Sequence, residues 1–239
     1  MPIDDAPHVG GNKEFGDALN IRERRRYPDV SGDERLYGTL NEALAAMTGG
    51  GPDADEIYSR VVDRLRGDEE FIILVLKTLD AVEESAYLER WALIQLVIDL
   101  AHPIAGEYLA EFVRRPIPEE RAEDTAHGVS TVTEEVILRT TAIEGLARLL
   151  RRDFDSTPVL LEVVGSSDHV AMRRAAWFAL VDGGRADGVE QARELLDKSD
   201  FGWIATLKRI PVQEAEQQDR RLVDPNRTPR GDIPAPFNE

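Results

Sequence analysis

MRRAAWFAL, Met172 to Leu180, sets two arginines ahead of a run of small and large apolar side chains at helical spacing. A looser copy, LRTTAIEGL, stands at Leu138 to Leu146. Three segments fall into register on Arg90, Arg139 and Arg173. Two and three positions on come Ala92 and Leu93, Thr141 and Ala142, Ala175 and Ala176; six and seven positions on come Leu96 and Val97, Gly145 and Leu146, Ala179 and Leu180. Small side chains at the +2, +3 and +6 offsets let a neighbouring helix approach closely, and the residue at +7 fills the gap one turn on, so each helical hairpin buries its face against the next. Arg139 and Arg173 lie 34 positions apart, within the range of helical-hairpin repeats, whereas Arg90 and Arg139 lie 49 apart, the excess being a long acidic loop.

Outward from these segments the chain reads as helices separated by short breakers. LYGTLNEALAAMTGGG carries Leu36, Leu40, Leu44 and Met47 on one stripe and stops at three glycines. PDADE suits a helix start before Ile57, Val61 and Leu65, and DEEFIILVLKTLDAV reads as a core helix. SAYLERWALIQLVIDLAHP closes at Pro103, and IAGEYLAEFVRR ends before Pro116 and Pro118. The polar stretch from Pro116 to Thr131 is the longest internal loop. TVTEEVILRTTAIEGLARLLRR follows, with Thr133 as its expected cap, then STPVLLEVV, SDHVAMRRAAWFALVDGG and ADGVEQARELLDKS. FGWIATLKRI is expected to be a last half-hairpin covering the end of the array. Residues 1–35, including the basic run Arg22 to Arg26, read as an irregular arm; 36–210 form the helical repeat domain; 211–239 form a polar, proline-rich tail.

The pattern resembles HEAT-type repeats, in particular the short HEAT-like hairpins of the family that includes phycobilin lyases and many bacterial scaffold proteins. Those inner helices have an aliphatic residue, an arginine and then an alanine-rich face, as in MRRAAWFAL and LRTTAIEGL. The match covers Pro158 to Leu196 well and Glu83 to Leu150 loosely. Glu89 replaces the aliphatic residue before Arg90, and the aspartate that often precedes the inner helix is clear only as Asp168. The resemblance implies an all-α protein, a right-handed α-solenoid of HEAT-like hairpins with an irregular N-terminal arm and a C-terminal tail. An irregular helical bundle is the alternative, since amphipathic helices of this length also build bundles.

Composition narrows the function. With 239 residues and no cysteine, the chain has length for a sizeable core and lacks disulfides, thiolate metal sites and a cysteine nucleophile, which fits a reducing cytoplasm. MPIDDAPHVGGNKEFGDAL has no basic n-region or apolar h-region, and no later run approaches the roughly 18 apolar residues of a membrane span. A cytoplasmic protein without a membrane segment is expected. Lys+Arg total 29 against Asp+Glu 46, a formal net charge of -17 that repels a nucleic-acid backbone; such acidity reads first as a solvation habit of the source organism, and it would also speed encounter with a basic partner.

Chemistry-bearing motifs are missing. His8, His102, His127 and His169 share no helical face, and there is no HExxH, phosphate loop, GxSxG or EF-hand pattern. The acidic doublets Glu83 and Glu84, Glu119 and Glu120, and Glu134 and Glu135 read as solvated. No catalytic residue, metal site or cofactor is assigned. The candidate partner-binding residues are Trp91, Arg139, Arg173, Arg174 and Trp177, all on repeat-bearing helices, where each tryptophan either packs between hairpins or anchors a partner. The arginines either line the concave face or pair with acidic neighbours.

The leading reading is a non-enzymatic interaction module, a scaffold, adaptor or inhibitor that binds a protein or peptide. The alternative is an enzyme or ligand-handling protein similar to the phycobilin lyases, with Asp168, His169 and Arg173 as the nearest cluster for a concave pocket. A nucleic-acid groove similar to that of HEAT-like alkylpurine glycosylases would require the arginines to collect on one exposed face.

Overall fold

The computed structural model describes residues 27–49, 53–121, 130–152, 154–183 and 186–208. Among them the secondary structure is helical throughout. The order is α1 (Glu34–Thr48), α2 (Ala54–Leu65), α3 (Glu69–Ala81), α4 (Tyr87–Leu100), α5 (Gly106–Arg114), α6 (Thr131–Leu150), α7 (Thr157–Ser166), α8 (Val170–Gly183) and α9 (Ala186–Asp197). Short 3-10 segments cover Pro103–Ala105 and Gly202–Thr206. The run Arg22 to Arg26, His8, His127, residues 122–129 of the acidic loop and the tail from 211 lie outside the described residues.

Local chemistry sets the boundaries. The Asp33 carboxylate accepts from the Arg35 and Leu36 amides, and that of Asp68 accepts from Phe71, so donors left orphaned in the first turns of α1 and α3 are satisfied. α6 starts earlier than its threonines suggest. Its cap is Ser130, whose Oγ accepts from the Thr133 amide at 3.1 Å, so Thr133 is the capped residue and not the cap. α4 ends at Ala101 in the left-handed conformation (φ 48°), and Pro103 two residues on cannot continue the helix.

Packing extends upstream of residue 36. Tyr27 is buried, and the Tyr37 hydroxyl donates to its carbonyl at 2.9 Å. At the other end, the expected half-hairpin is, among the described residues, one 3-10 segment, Gly202–Thr206, whose Ile204 is buried; it packs against α8 and α9.

Consecutive helices pack as pairs, α1 with α2, α3 with α4, α5 with α6 and α7 with α8. Across the pairs, α6 lies between α4 and α8. The polar links across the α4/α6 seam rise together in both helices: Arg90 pairs with Glu135 and Asp99 with Arg148, separations of 45 and 49 residues, so α4 and α6 run parallel. Near the far end of α6, Gly183 of α8 lies against Leu150. A second row runs through α3, α5, α7 and α9. Asp80 of α3 accepts from Tyr108 Oη (2.7 Å) and Arg115 Nη1 (3.2 Å), Arg114 of α5 pairs with Glu162 of α7 at 2.8 Å, and α9 packs on α7.

Burial follows the repeat offsets. Ala142 and Ala176, the small residues at +3, are fully buried. Gly145 is at +6, and a Cβ there would lie 2.7 Å from Ile98 Cγ1 of α4 and 3.1 Å from Leu109 Cδ1 of α5. That glycine is therefore what lets α4 and α5 close on α6.

Candidate interaction surface on helices α4, α6 and α8

The same register that buries the small residues assigns a solvent face to α4, α6 and α8. Two positions before the aligned arginines stand Leu88, Ile137 and Ala171, all exposed. One position after them stand Trp91, Thr140 and Arg174, of which Trp91 and Arg174 are exposed and Thr140 is half-buried. Leu88 is 58% accessible, Ile137 49% and Trp91 39%, so three large apolar side chains stand in water on neighbouring helices at nearly the same height. Further along, the face becomes polar, with Gln95, Asp99, Glu144, Arg148 and Asp182.

On α4 and α6 that polar half holds a network centred on Asp99. Asp99 accepts from Arg148 Nη1 at 2.6 Å, Tyr58 Oη at 2.9 Å and Gln95 Nε2 at 3.2 Å. Burial pushes the Tyr58 hydroxyl far above its usual range, and the Asp99 charge pushes it further.

The aligned arginines lie beneath the face. Arg90 and Arg139 both reach Glu135, whose carboxylate is buried; Arg139 Nη1 is 2.9 Å from Glu135 Oε2. Arg139 also stacks on the Phe112 ring at 4.0 Å from its centroid. Burial holds the Arg139 guanidinium below its ordinary range, with Glu135 opposing that shift. In α8 no carboxylate plays this part for Arg173. Arg173 donates from Nε to the Ser167 carbonyl and from Nη1 to the Val164 carbonyl (2.7 Å), and it stacks over Phe201 at 4.5 Å. It thus satisfies carbonyls at the C-terminus of α7, where a cation also suits the helix dipole.

The five candidate residues therefore divide. Trp91 and Arg174 are on the exposed face. Arg139, Arg173 and Trp177 are buried, the last packing under Arg193 of α9. Glu135 overturns the reading of its doublet as solvated, because it lies between two guanidiniums with no access to water. Glu134 remains half-buried, its carboxyl pushed up by partial burial and by Glu135. Leu88 and Ile137 were not singled out by sequence, although their matched place two residues before each arginine was a usable signal.

The cluster Asp168, His169 and Arg173 is not gathered around an opening. Asp168 is exposed while Arg173 is directed under the surface onto backbone carbonyls. An open groove of about 630 Å³ lies instead between α7 and α9, lined by Pro158, Leu161, Glu162, Gly165, Leu195 and Lys198 among others, and contains none of the three. Among the described residues no group of three or more His, Asp or Glu side chains is arranged to hold a metal ion, and no helix is long and apolar enough to cross a membrane.

No protein-family model matches the chain, nor does any curated protein or solved structure.

Proposed function

We propose that the chain is a non-enzymatic interaction module, a short right-handed solenoid of HEAT-like hairpins that binds a protein or peptide in the cytoplasm on the open face of α4, α6 and α8. The observation that carries this reading is the trio Leu88, Trp91 and Ile137. Each is a large apolar side chain exposed on a helix whose opposite side is tightly packed, and together they cross two helices. Large apolar side chains exposed together on adjacent helices of a charged protein suit a surface that is covered in use, and an aromatic among them suits a binding anchor. The two parallel rows of helices and the inward-facing small residues support the solenoid reading.

A photo-crosslinking residue placed at Ile137 and, separately, at Leu195 in the α7/α9 groove tests the assignment in the native host. A discrete protein adduct from position 137 and not from 195 is expected. Adducts from neither position, or from 195 alone, would overturn it.

A further inference from the structure

Resting on that reading, we infer that the partner segment is a basic amphipathic helix, and that it lies across the N-terminal halves of α4, α6 and α8 with its apolar side on Leu88, Trp91 and Ile137.

The first argument is the division of the face. On α4 and α6 its C-terminal half holds the network around Asp99, with Tyr58, Gln95 and Arg148 satisfied internally. Its N-terminal half carries the exposed apolar residues, matched in height by the α4/α6 register. A segment that covers Leu88, Trp91 and Ile137 must therefore run across the helices and not along one of them. Side chains at i, i+3, i+4 and i+7 of a helix supply such a row of anchors.

The second argument is charge. Of the four arginines at this end of α4, α6 and α8, three have their guanidiniums turned under the surface and only Arg174 is exposed. Arg90 and Arg139 go to Glu135, and Arg173 goes to the carbonyls of α7. The rim they leave behind is acidic: Glu83, Glu84 and Glu134 stand at the starts of α4 and α6, and Asp168 precedes α8. Against them stand Arg121, already paired with Glu84 at 2.6 Å, and Arg174. An apolar centre with a carboxylate rim complements a segment with apolar anchors and lysine or arginine flanks. The same burial takes the charge of Arg90, Arg139 and Arg173 away from any surface that a nucleic acid would meet.

Two synthetic 18-residue amphipathic helical peptides test the inference, one with leucine on one face and lysine on the other, the second with glutamate in place of each lysine. Binding is read by Trp91 fluorescence in the Trp203→Phe background, because Trp203 is the other exposed tryptophan. The lysine peptide is expected to saturate with a blue shift, and the glutamate peptide to bind at least tenfold more weakly. Leu88→Glu and Ile137→Glu then separate docking from simple attraction. Both add negative charge at exposed positions, so a purely electrostatic association tightens, whereas docking on an apolar centre weakens at least tenfold. Leu88→Gln, neutral and at the same exposed site, must weaken binding in the same direction with an unchanged melting temperature. Equal binding of the two peptides, or tighter binding by the glutamate variants, overturns the inference. A crosslinked partner at Ile137 whose contact segment is acidic would also overturn it, while leaving the interaction reading in place.

Discussion

Glu135 ties α4 to α6. It is surrounded by Arg90 and Arg139, with the Phe112 ring beneath the second guanidinium. Removing its charge leaves two buried cations facing each other without an anion, and breaking a buried pair in this way costs about 3 to 5 kcal/mol. Glu135→Gln keeps the shape and isolates that electrostatic loss. The matched control is Glu162→Gln, which breaks the Arg114 pair, where both side chains are about half exposed and the cost is below ~1 kcal/mol. Urea denaturation of both variants measures the contrast; similar losses would mean that the Glu135 cluster is no more than a surface pair. A second expectation concerns alkaline pH. The hydroxyls of Tyr58 and Tyr108 are both pushed up, by burial first and then by Asp99 and Asp80 respectively. Above the ordinary tyrosine value of 10.0 the unfolded chain has given up these protons while the folded chain still holds them, so the stability they contribute is intact below about pH 10 and is lost above it. Thermal melts from pH 9 upward should show a falling midpoint, and the fall should be shallower in Tyr58→Phe; equal slopes would show that Tyr58 does not hold its proton more tightly when folded.

Between helices, two glycines make opposite predictions for the same substitution. Gly38, exposed in α1, has nothing within 4 Å of an added Cβ, so Gly38→Ala gains helix propensity and is expected to stabilise by about 0.5 to 1 kcal/mol. Gly145, where Ile98 and Leu109 crowd the site, is expected to lose about 1 to 2 kcal/mol as alanine, because overpacking outweighs the same propensity gain. Shortening the neighbour in Gly145→Ala/Ile98→Val should recover part of that loss, and chemical denaturation of the single and double variants would reveal an additive result if the seam were loose. The offsets also show how much of this was legible in the chain. The +6 glycine and the +3 alanines were readable as close-approach positions, since they recur at fixed distance from an arginine. The fates of the tryptophans were readable by the same rule: Trp91 at +1 shares its offset with Thr140 and Arg174 on the open side, and Trp177 at +4 shares its offset with the fully buried Ile94 and Ile143. The direction of the arginines was not. Arg90 meets Glu135 across 45 residues and an intervening helix, a pairing that no local pattern specifies, and Arg173 finds carbonyls, which every residue carries. The α6 cap, by contrast, was within reach of the sequence: Ser130 is a stronger capping residue than Thr133, and its Oγ accepts from the Thr133 amide.

For the molecule as a whole, the excess of carboxylates sets two effects of salt against each other. With 46 acidic and 29 basic residues, most of the surface repels itself, and raising the ionic strength relieves that repulsion. Salt also weakens exposed pairs such as Arg64 with Glu42 and Arg60 with Glu56. The magnitudes decide the sign. Exposed pairs contribute roughly 0 to 1 kcal/mol each, and the excess charge acts over many unpaired carboxylates at separations near the Debye length, which shrinks from about 30 Å at 0.01 M to about 8 Å at 0.15 M. The Glu135 cluster is buried and is screened little. The melting temperature is therefore expected to rise by a few degrees over that range of sodium chloride, in parallel for the intact protein and for Glu162→Gln. A fall would mean that surface pairs, and not the row of α4, α6 and α8, hold the helices together. Binding of a basic segment to the Leu88, Trp91 and Ile137 face should move the other way. Salt that stabilises the free protein weakens attraction to the acidic rim while leaving the apolar contact in place, so affinity should fall with ionic strength and level off at a finite value, a plateau that titration of the lysine peptide at increasing salt would measure.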